Sequence, residues 1–309
     1  MYTGFFGLTS QPFSIAPNPD FMYLSPRHAE ALAHLRYGLG DAGGFVLLTG
    51  EVGTGKTTVS RCLLQELDEQ KADVAFILNP ALSELELLAA ICDELKIRYK
   101  KTDASLKLLG DKIKARLLKN HEAGKQTILI IDEAQHLQPV VLEQLRLLTN
   151  LETNTRKLLQ VILIGQPELQ QLLQRNDLRQ LAQRITARYH LLPLDEQEVR
   201  QYILYRLQVA GCQRPVFTDK AVHKLFQLSG GIPRLLNLIA DRALLAAYSK
   251  QLVMVDVRQT EQAAQEILPL QVSKPPAPSR WFWVTLGTAG IILGFVIAVI
   301  LLPFLTGNH

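Results

Sequence analysis

The segment that most constrains this chain is a glycine-rich loop, Gly50 to Thr57, which matches the pattern G-x-x-x-x-G-K-[ST]. An apolar run, Phe45 to Thr49, precedes the loop, and a stretch with helical periodicity, Thr58 to Leu67, follows it. Glycines let successive backbone N–H groups point at an anion, and the helix start adds unpaired N–H groups and a positive dipole end. The sequence therefore predicts a parallel α/β fold with a site for a nucleoside triphosphate.

The residues of this loop are the first candidate ligands. Lys56 is expected to reach the β- and γ-phosphates, and the hydroxyl of Thr57 is expected to bind Mg²⁺. The candidate nucleotide-binding positions are Gly50, Glu51, Val52, Gly53, Thr54, Gly55, Lys56, Thr57 and Thr58.

A second apolar run, Thr127 to Ile131, ends in two adjacent carboxylates, Asp132 and Glu133. Asp132 suits the coordination sphere of Mg²⁺, directly or through water, while Glu133 would point to the other side and polarise the attacking water. Acidic pairs also occur in solvated turns, but a position about 75 residues after the phosphate loop favours the catalytic interpretation.

Two residues further along the chain are candidates for contact with the γ-phosphate. Gln166 follows the apolar run Leu158 to Ile164, at whose tip a polar side chain would lie beside this phosphate, although Gln-Pro also suits an ordinary turn. Arg234 falls in the first turn of a helix that two glycines and Pro233 introduce. A cation beside the positive end of a helix is unfavourable without an anion nearby, which favours a phosphate contact over a plain surface arginine.

The N-terminal 44 residues are rich in aromatic residues, proline and asparagine and become helical from Pro26. Phe21, Tyr23 and His28 could stack on adenine or form hydrogen bonds with it, and simple packing of this arm is the alternative. Strands are also predicted at 74–78 and 187–192. Helices are predicted at 84–97, 105–122, 139–151, 178–185, 195–210, 219–229, 232–249 and 256–267.

The composition limits the function classes. A net charge of +4 gives no strong argument for nucleic acid, and 309 residues suggest about two domains. Cys62, Cys92 and Cys212 are far apart and predict buried, reduced thiols of a cytosolic compartment. The N-terminus lacks the pattern of a cleavable signal peptide.

The C-terminus has the pattern of a membrane-spanning helix. Residues 284–302 are almost all apolar, a length that spans about 28 Å as a helix and matches a bilayer hydrocarbon core. Aromatic residues at 281–283 and the cations Lys274 and Arg280 lie on its N-terminal side, which is predicted to be cytoplasmic. Gly290 and Gly294 form a G-x-x-x-G pattern that would let another helix approach, although glycine is frequent in such helices anyway. We expect a single-pass anchor in the lipid bilayer.

The sequence thus divides into five predicted segments. They are an N-terminal arm and helix at 1–44, an α/β nucleotide-binding domain at 45–194, a helical lid at 195–268, a proline-rich linker at 269–280 and a membrane helix at 281–305.

Together, these motifs and the Gly-Gly-x-Pro-Arg segment of the lid resemble an AAA+ ATPase. The resemblance implies an α/β P-loop NTPase fold with a parallel five-stranded sheet of order 5-1-4-3-2, an all-α lid and, here, one C-terminal transmembrane helix. More specific similarity is to the general secretion pathway protein A family, ATPases of type II secretion in the bacterial inner membrane. It is carried by Phe6-Gly7-Leu8, Pro12-Phe13, Pro17-Asn18-Pro19, the phosphate loop, Asp132-Glu133-Ala134-Gln135 and Gly165-Gln166-Pro167-Glu168-Leu169.

This resemblance implies ATP and Mg²⁺ as cofactors, Glu133 as general base, and Gln166 and Arg234 as first and second sensors. Arg184 matches the trans-acting arginine finger, with Arg188 as the reserve, and an interface salt bridge is the alternative role for Arg184. A finger in trans implies a homo-oligomer. The implied partners are an inner-membrane protein of the protein B type or pilus assembly proteins. The family's periplasmic peptidoglycan-binding region has no match in residues 303–309, so that role is not carried over.

Three other functions share parts of the pattern. A nucleic-acid-associated AAA+ ATPase of the transposition or loader type has the same core motifs, but the predicted membrane helix and the mild charge make nucleic acid an unexpected partner. A helicase would explain Asp132-Glu133-Ala134-Gln135-His136 as a D-E-x-x-H box, but it needs a second motor domain. A regulatory switch with negligible turnover fits the same residues.

Overall fold

The computed structural model describes residues 2–16, 18–40, 44–68, 70–78, 80–152 and 157–268. The described residues up to Ala264 belong to one compact unit. The predicted linker and membrane helix, with its G-x-x-x-G pattern, lie outside the described residues. Within the described ranges, no helix is both long enough and apolar enough to cross a membrane.

The centre of the described unit is a parallel sheet of five strands. The strands are β1 (Phe45–Gly50), β2 (Ala72–Ile77), β3 (Gln126–Ile131), β4 (Gln160–Gly165) and β5 (Ile185–Leu191). Their spatial order is β2-β3-β4-β1-β5, and every neighbouring pair is parallel. The predicted order 5-1-4-3-2 is therefore confirmed. Since all strands run the same way, their carboxyl ends lie at one edge of the sheet, where ligands bind in such folds.

Helices surround this sheet. Those before and between the strands are α1 (Tyr2–Phe6), α2 (Pro26–Gly38), α3 (Lys56–Glu66), α4 (Glu84–Glu94), α5 (Leu106–Glu122), α6 (Pro139–Leu148), α7 (Glu168–Leu173) and α8 (Arg179–Ala182). Those after the sheet are α9 (Glu196–Val209), α10 (Asp219–Ser229), α11 (Pro233–Ser249) and α12 (Val257–Ile267). Short 3₁₀ turns occur at Pro19–Phe21, Lys101–Asp103, Ala134–His136 and Asn176–Leu178.

The strands form by burying apolar side chains on both faces. All residues of β1 and β4 are buried, which explains why their sequences are nearly continuous apolar runs rather than alternating ones. Leu47 lies in the core layer shared with α4, α5 and α6, while Val46 and Leu48 lie in the layer shared with α2 and α3. Helices therefore cover both faces and leave the carboxyl edge of the sheet open for the phosphate loop.

A glycine pair joins α10 to α11 and directs the lid toward the phosphate loop. Gly230 and Gly231 have left-handed φ angles of 58° and 74°. A Cβ on Gly231 would lie 1.9 Å from the carbonyl oxygen of Leu194, so only glycine fits there. The N–H of Leu194 donates to the Gly231 carbonyl at 2.9 Å, which holds this turn against the chain just before α9. The start of α11 is fixed as a result.

The predicted elements differ from the structure mainly between β4 and β5. The helix predicted at 178–185 is a 3₁₀ turn followed by the single turn of α8, and β5 begins at Ile185 rather than Ala187. Neither α1 nor α7 was predicted, because their 5 and 6 residues are too few to show a helical period.

The cysteines are packing residues. Cys62, Cys92 and Cys212 are buried free thiols, as the sequence predicted. Burial raises the pKa of Cys92 to about 11, so this thiol stays protonated and unreactive at neutral pH.

Candidate nucleotide-binding site

The phosphate loop connects β1 to α3 at the carboxyl edge of the sheet. Gly53 and Gly55 have left-handed φ angles of 83° and 103°, which let the backbone curl before α3 begins at Lys56. The Thr54 hydroxyl donates to the Glu51 carbonyl at 2.9 Å and braces this curl. The loop therefore has the compact form that turns N–H groups toward an anion.

Lys56 is buried at the base of the loop with only 6% of its surface exposed. Its Nζ donates to the carbonyls of Gly50 and Glu51, at 2.8 and 2.9 Å, and not to a carboxylate. Burial lowers the pKa of Lys56, whereas the charges of Glu133 and Asp132 oppose that shift. Among the described residues, these two backbone carbonyls are the hydrogen-bond partners of the buried ammonium, which can therefore exchange them for a phosphate group.

Two close contacts explain why the loop needs its glycines. A Cβ on Gly55 would lie 2.4 Å from Nε2 of His28, and a Cβ on Gly53 would lie 2.6 Å from Cβ of Arg234. His28 comes from α2 and Arg234 from α11. The loop thus packs against α2 on one side and α11 on the other, and both helices are remote from it in sequence.

His28 supports the loop from below rather than facing a base. Its Nε2 donates to the Thr54 carbonyl at 3.0 Å, because a carbonyl can only accept, and its Nδ1 then accepts from the Ser25 hydroxyl at 2.9 Å. Burial lowers the pKa of His28, in keeping with a neutral ring. Both ring nitrogens of His28 thus have protein partners, and His28 is not among the described residues that line the cavity beside the loop, so the geometry favours the packing alternative. Its contact with adenine stays a prediction.

The residues expected to hold Mg²⁺ meet in space. The Thr57 hydroxyl donates to Oδ2 of Asp132 at 3.0 Å, and the N–H of Glu133 donates to Oδ1 of Asp132 at 2.9 Å. Asp132 is only 4% exposed, and burial raises its pKa despite these hydrogen bonds. A hydroxyl and a carboxylate at this distance are hard oxygen ligands of the kind that Mg²⁺ takes beside phosphates.

Glu133 belongs to a closed ring of hydrogen bonds. Gln135 Nε2 and Gln166 Nε2 both donate to Glu133 Oε2, at 2.5 and 3.2 Å, and the N–H of Gln166 donates to Gln135 Oε1 at 3.0 Å. Burial alone would raise the pKa of Glu133, but these hydrogen bonds and the charges of Lys56 and His136 hold it below its ordinary value. Glu133 is therefore ionised at neutral pH and able to accept a proton.

Gln135 is a site residue that sequence reasoning did not assign. It stood in the motif quoted for the family resemblance, but no role was attached to it. The available signal was its position two residues after Glu133 in a short turn, which the structure shows to be a 3₁₀ helix.

Arg234 lies where the lid touches the phosphate loop. Its N–H donates to the Gly53 carbonyl at 3.3 Å, and its side chain packs on Gly53. Arg234 also lines a cavity together with Lys56, Thr57 and Glu133. The structure thus brings the lid arginine to the same site as the loop.

That cavity extends from the loop to the N-terminal arm and has a volume of about 520 Å³. Its lining also includes Val52, Gly53, Gly55 and Thr58 from the loop and α3, Ile15, Phe21 and Met22 from the arm, and Tyr202, Arg206 and Asn237 from the lid. A volume of this size, with Lys56 on the side of the loop and Ile15, Phe21 and Met22 on the side of the arm, suits a nucleoside triphosphate. Phe21 lines this cavity on the side of the arm, and its contact with adenine stays a prediction. The Tyr23 hydroxyl instead donates to Gln201 at 2.8 Å, and Tyr23 is not among the described lining residues.

Arg206 fastens the arm to the lid. Its guanidinium donates to the carbonyls of Pro12 and Ser14 and to the hydroxyl of Tyr202, and it lies 5.0 Å from the ring centroid of Phe21. It is 7% exposed. No sequence signal marked this residue, because its partners are about 190 positions away.

The two finger candidates lie away from the loop of their own subunit. Arg184 precedes β5 at the amino edge of the sheet, where its guanidinium contacts the carbonyl of Arg146 and the hydroxyl of Thr149 at 3.4 Å. Arg188 is exposed, donates to the Ala182 carbonyl at 2.8 Å, and lines a second cavity of about 440 Å³ together with Arg179. Neither arginine can complete this site within the same subunit.

Comparisons with known proteins agree with this site. The family model described as "AAA domain" matches residues 40–173. General secretion pathway protein A of Aeromonas hydrophila is 67% identical over 250 residues, which cover 81% of this chain and 45% of that protein. The chain thus spans about half the length of this curated relative. The family resemblance inferred from the motifs is confirmed.

Several solved structures share the fold. Cdc6p from Pyrobaculum aerophilum superposes with a TM-score of 0.66 at 18% identity and covers 83% of this chain and 70% of its own. The Drosophila ORC bound to DNA gives 0.64 at 19% identity over 84% and 64% of the two chains. The Thermotoga maritima RuvB branch migration motor gives 0.54 at 18% identity over 80% and 73%. At these identities the similarity shows the AAA+ fold alone.

Proposed function

We propose that this chain is an ATPase that uses Mg²⁺ and supports assembly of a type II secretion or related pilus envelope complex. The observation that carries the ATPase proposal is the meeting of three elements around one cavity: the phosphate loop, the end of β3, and the start of the lid helix α11. The tip of β4 joins them through the hydrogen bond from Gln166 to Glu133. Lys56, Thr57, Glu133 and Arg234 all reach it or border it.

The roles follow from these positions. Lys56 would leave the carbonyls of Gly50 and Glu51 to bind the β- and γ-phosphates, and Thr57 with Asp132 would hold Mg²⁺. When bound, Mg²⁺ neutralises charge that develops on the phosphates. Glu133 would accept the proton of the attacking water, because a pKa below the ordinary value keeps this carboxylate ionised at neutral pH.

Two more residues would recognise the γ-phosphate end. Gln166 reaches Glu133 from the tip of β4, and Arg234 approaches the loop from the lid. Arg234 is therefore suited to report to the lid whether the site is filled.

A neighbouring subunit would complete the site. We assign this role to the surface that carries Arg184, Arg188 and Arg179, because none of these residues contacts the loop of its own subunit. Arg188 and Arg179 are exposed beside a cavity, whereas Arg184 is directed at Arg146 and Thr149. The geometry therefore favours Arg188 as the arginine that acts in trans, with Arg184 as the residue that the family pattern favours.

The cellular location and the partners of this chain are proposed from its sequence and from the Aeromonas relative. The apolar segment 281–305 would anchor the chain in the inner membrane with the ATPase on the cytoplasmic side. The name of the Aeromonas relative supports a secretion role, with an inner-membrane protein of the protein B type or pilus proteins as partners.

A matched pair of variants tests the ATPase proposal. Lys56→Ala should abolish binding of a fluorescent ATP analogue, while Glu133→Gln should bind it normally and hydrolyse ATP at least about 100-fold more slowly. Normal hydrolysis by Glu133→Gln would show that Glu133 is not the base. Absence of hydrolysis in the wild-type chain, with ATP bound, would favour a regulatory switch.

One observation keeps a nucleic-acid function as the second candidate. The segment around α5 carries exposed cations at Lys96, Arg98, Lys100, Lys101, Lys107, Lys114 and Lys119. If this surface binds DNA, binding should weaken steeply with salt and should stimulate hydrolysis. Hydrolysis that is insensitive to DNA at low salt would remove this candidate.

A further inference from the structure

We propose that Gln135 is a positioning residue that fixes the orientation of the catalytic base Glu133 and ties it to the tip of β4. This inference rests on the proposed ATPase function. It is carried by the ring of three hydrogen bonds among Glu133, Gln135 and Gln166.

The direction of the Gln135 amide is determined by its partners. The backbone N–H of Gln166 can only donate, so the side-chain oxygen of Gln135 must face it. The NH₂ group of Gln135 then has to face the carboxylate of Glu133. Gln135 thus donates to the Glu133 carboxylate and accepts from the Gln166 N–H. An apolar side chain could form neither bond, and a carboxylate could not donate.

Both amide donors reach the same carboxylate oxygen. Gln135 and Gln166 donate to Oε2 of Glu133, and among the described residues Oε1 accepts no hydrogen bond. The ring therefore leaves one defined oxygen of Glu133 open to accept a proton from water. Without Gln135, the weaker 3.2 Å contact from Gln166 would be the one remaining restraint.

The backbone also indicates that this orientation is imposed. Glu133 has a φ of 53°, one of three positive φ angles at non-glycine residues in the described chain. Such a conformation is strained for a residue with a side chain and persists where surrounding contacts hold it. The hydrogen bond from the Gln135 side chain to the Glu133 carboxylate is one of the contacts on this strained residue.

Close packing on β4 supports the same role. A Cβ on Gly165 would lie 2.7 Å from Oε1 of Gln135 and 2.9 Å from Cδ2 of Leu169. The glycine thus leaves the space in which the Gln135 oxygen reaches the next backbone N–H. The base and the candidate sensor Gln166 are therefore held as one unit.

The test replaces Gln135 with methionine, which has a similar length and lacks the amide. In the full chain, Gln135→Met should lower kcat about 10- to 100-fold, the size of effect that a misplaced catalytic group produces, with KM and the Kd for a fluorescent nucleotide within about twofold of wild type. The matched control is Gln138→Met, because Gln138 is exposed on the same segment and makes no capping hydrogen bond. Gln135→Asn, which is one methylene shorter, gives the same test if the methionine variant does not fold.

Two further readouts separate positioning from a structural role. In a Glu133→Gln background, adding Gln135→Met should not slow the residual hydrolysis further, because Gln135 acts through Glu133. In the nucleotide-free chain, the Gln166 N–H should exchange with solvent faster in Gln135→Met than in wild type. An unchanged kcat, an additive loss in the double variant, or unchanged exchange at Gln166 would overturn the proposal. Absence of hydrolysis in the wild-type chain would instead count against the proposed function. The exchange experiment would then still show whether Gln135 holds the Gln166 N–H.

Discussion

The Thr57 hydroxyl donates a 3.0 Å hydrogen bond to Oδ2 of Asp132, and this contact joins the phosphate loop to the end of β3. Thr57 follows β1 and Asp132 follows β3, two strands that β4 separates in the sheet, and both residues lie at the carboxyl edge. Asp132 is 4% exposed, and burial raises its pKa, so this carboxylate is kept at a cost to the folded state. Such an arrangement is expected where a charge serves a ligand rather than stability.

Asp132→Asn should therefore separate function from stability. The variant should hydrolyse ATP about 10- to 100-fold more slowly and need more Mg²⁺ for half-maximal rate. Its thermal midpoint without nucleotide should equal or exceed that of wild type, because the amide avoids burial of a charge. The measurements are a Mg²⁺ titration of ATPase rate and a melting curve. A lower midpoint with an unchanged Mg²⁺ requirement would show that Asp132 is structural.

His28 should make stability depend on pH. Its pKa in the folded state lies below the ordinary value of 6.5, so the unfolded chain binds the proton more readily. The free energy of unfolding should thus fall as the pH drops below about 6.5 toward the folded-state pKa. His28→Gln keeps a donor for the Thr54 carbonyl but does not titrate. Between pH 7.5 and 5.5, urea midpoints of this variant should fall less than those of wild type, and equal slopes would contradict the assignment.

Arg206 should control nucleotide affinity through the arm. Arg206→Met removes the donors to the carbonyls of Pro12 and Ser14, so the side of the cavity that the arm forms should loosen. Bonds from charged donors are worth about 1.5–3 kcal/mol each, and a loss of that size predicts a Kd for ATP about 10-fold higher or more. The matched control is Arg200→Met on the same helix, where Arg200 pairs with the exposed Asp219. Equal affinities for ATP in the two variants would show that the arm does not contribute to binding of the adenine base.

The trans-acting arginine can be found by mixing inactive subunits. Arg188→Ala should lower kcat by about 10³- to 10⁵-fold if it completes the neighbouring site. Adding Lys56→Ala protein should restore part of the activity, because one interface then combines an intact loop with an intact arginine. Arg184→Ala, tested in parallel, should retain activity. Restoration with Arg184→Ala instead would return the role to Arg184, and no restoration in a confirmed mixed oligomer would exclude a finger in trans.

The membrane anchor is tested by fractionation of the full chain. We expect the wild-type chain to remain in the membrane after alkaline extraction. Leu293→Arg together with Val296→Arg should release it, because each arginine costs about 2.5–3.5 kcal/mol at the centre of a spanning helix. Leu252→Arg, at an exposed position before α12, is the control and should not release it. A wild-type chain in the soluble fraction would remove the anchor.

Local sequence patterns determined most of the fold. Buried parallel strands appear as short apolar runs, and the phosphate loop carries its own glycine pattern, so both could be predicted from neighbouring residues alone. Asp132 and Glu133 were found for the same reason, since they end a strand that delivers them to the carboxyl edge. The sheet order came from the family resemblance, because apolar runs do not state which strands are neighbours.

Tertiary structure alone decided how the site is held together. His28 supports Thr54 from 26 positions away, Arg206 holds the arm from about 190 positions away, and Gln135 reaches a backbone N–H 31 positions away. Such contacts leave no local pattern, because a histidine, an arginine or a glutamine at these places could equally face solvent. The sequence by itself determined which chemistry the chain carries at the loop, and packing between remote segments decided which side chains orient it.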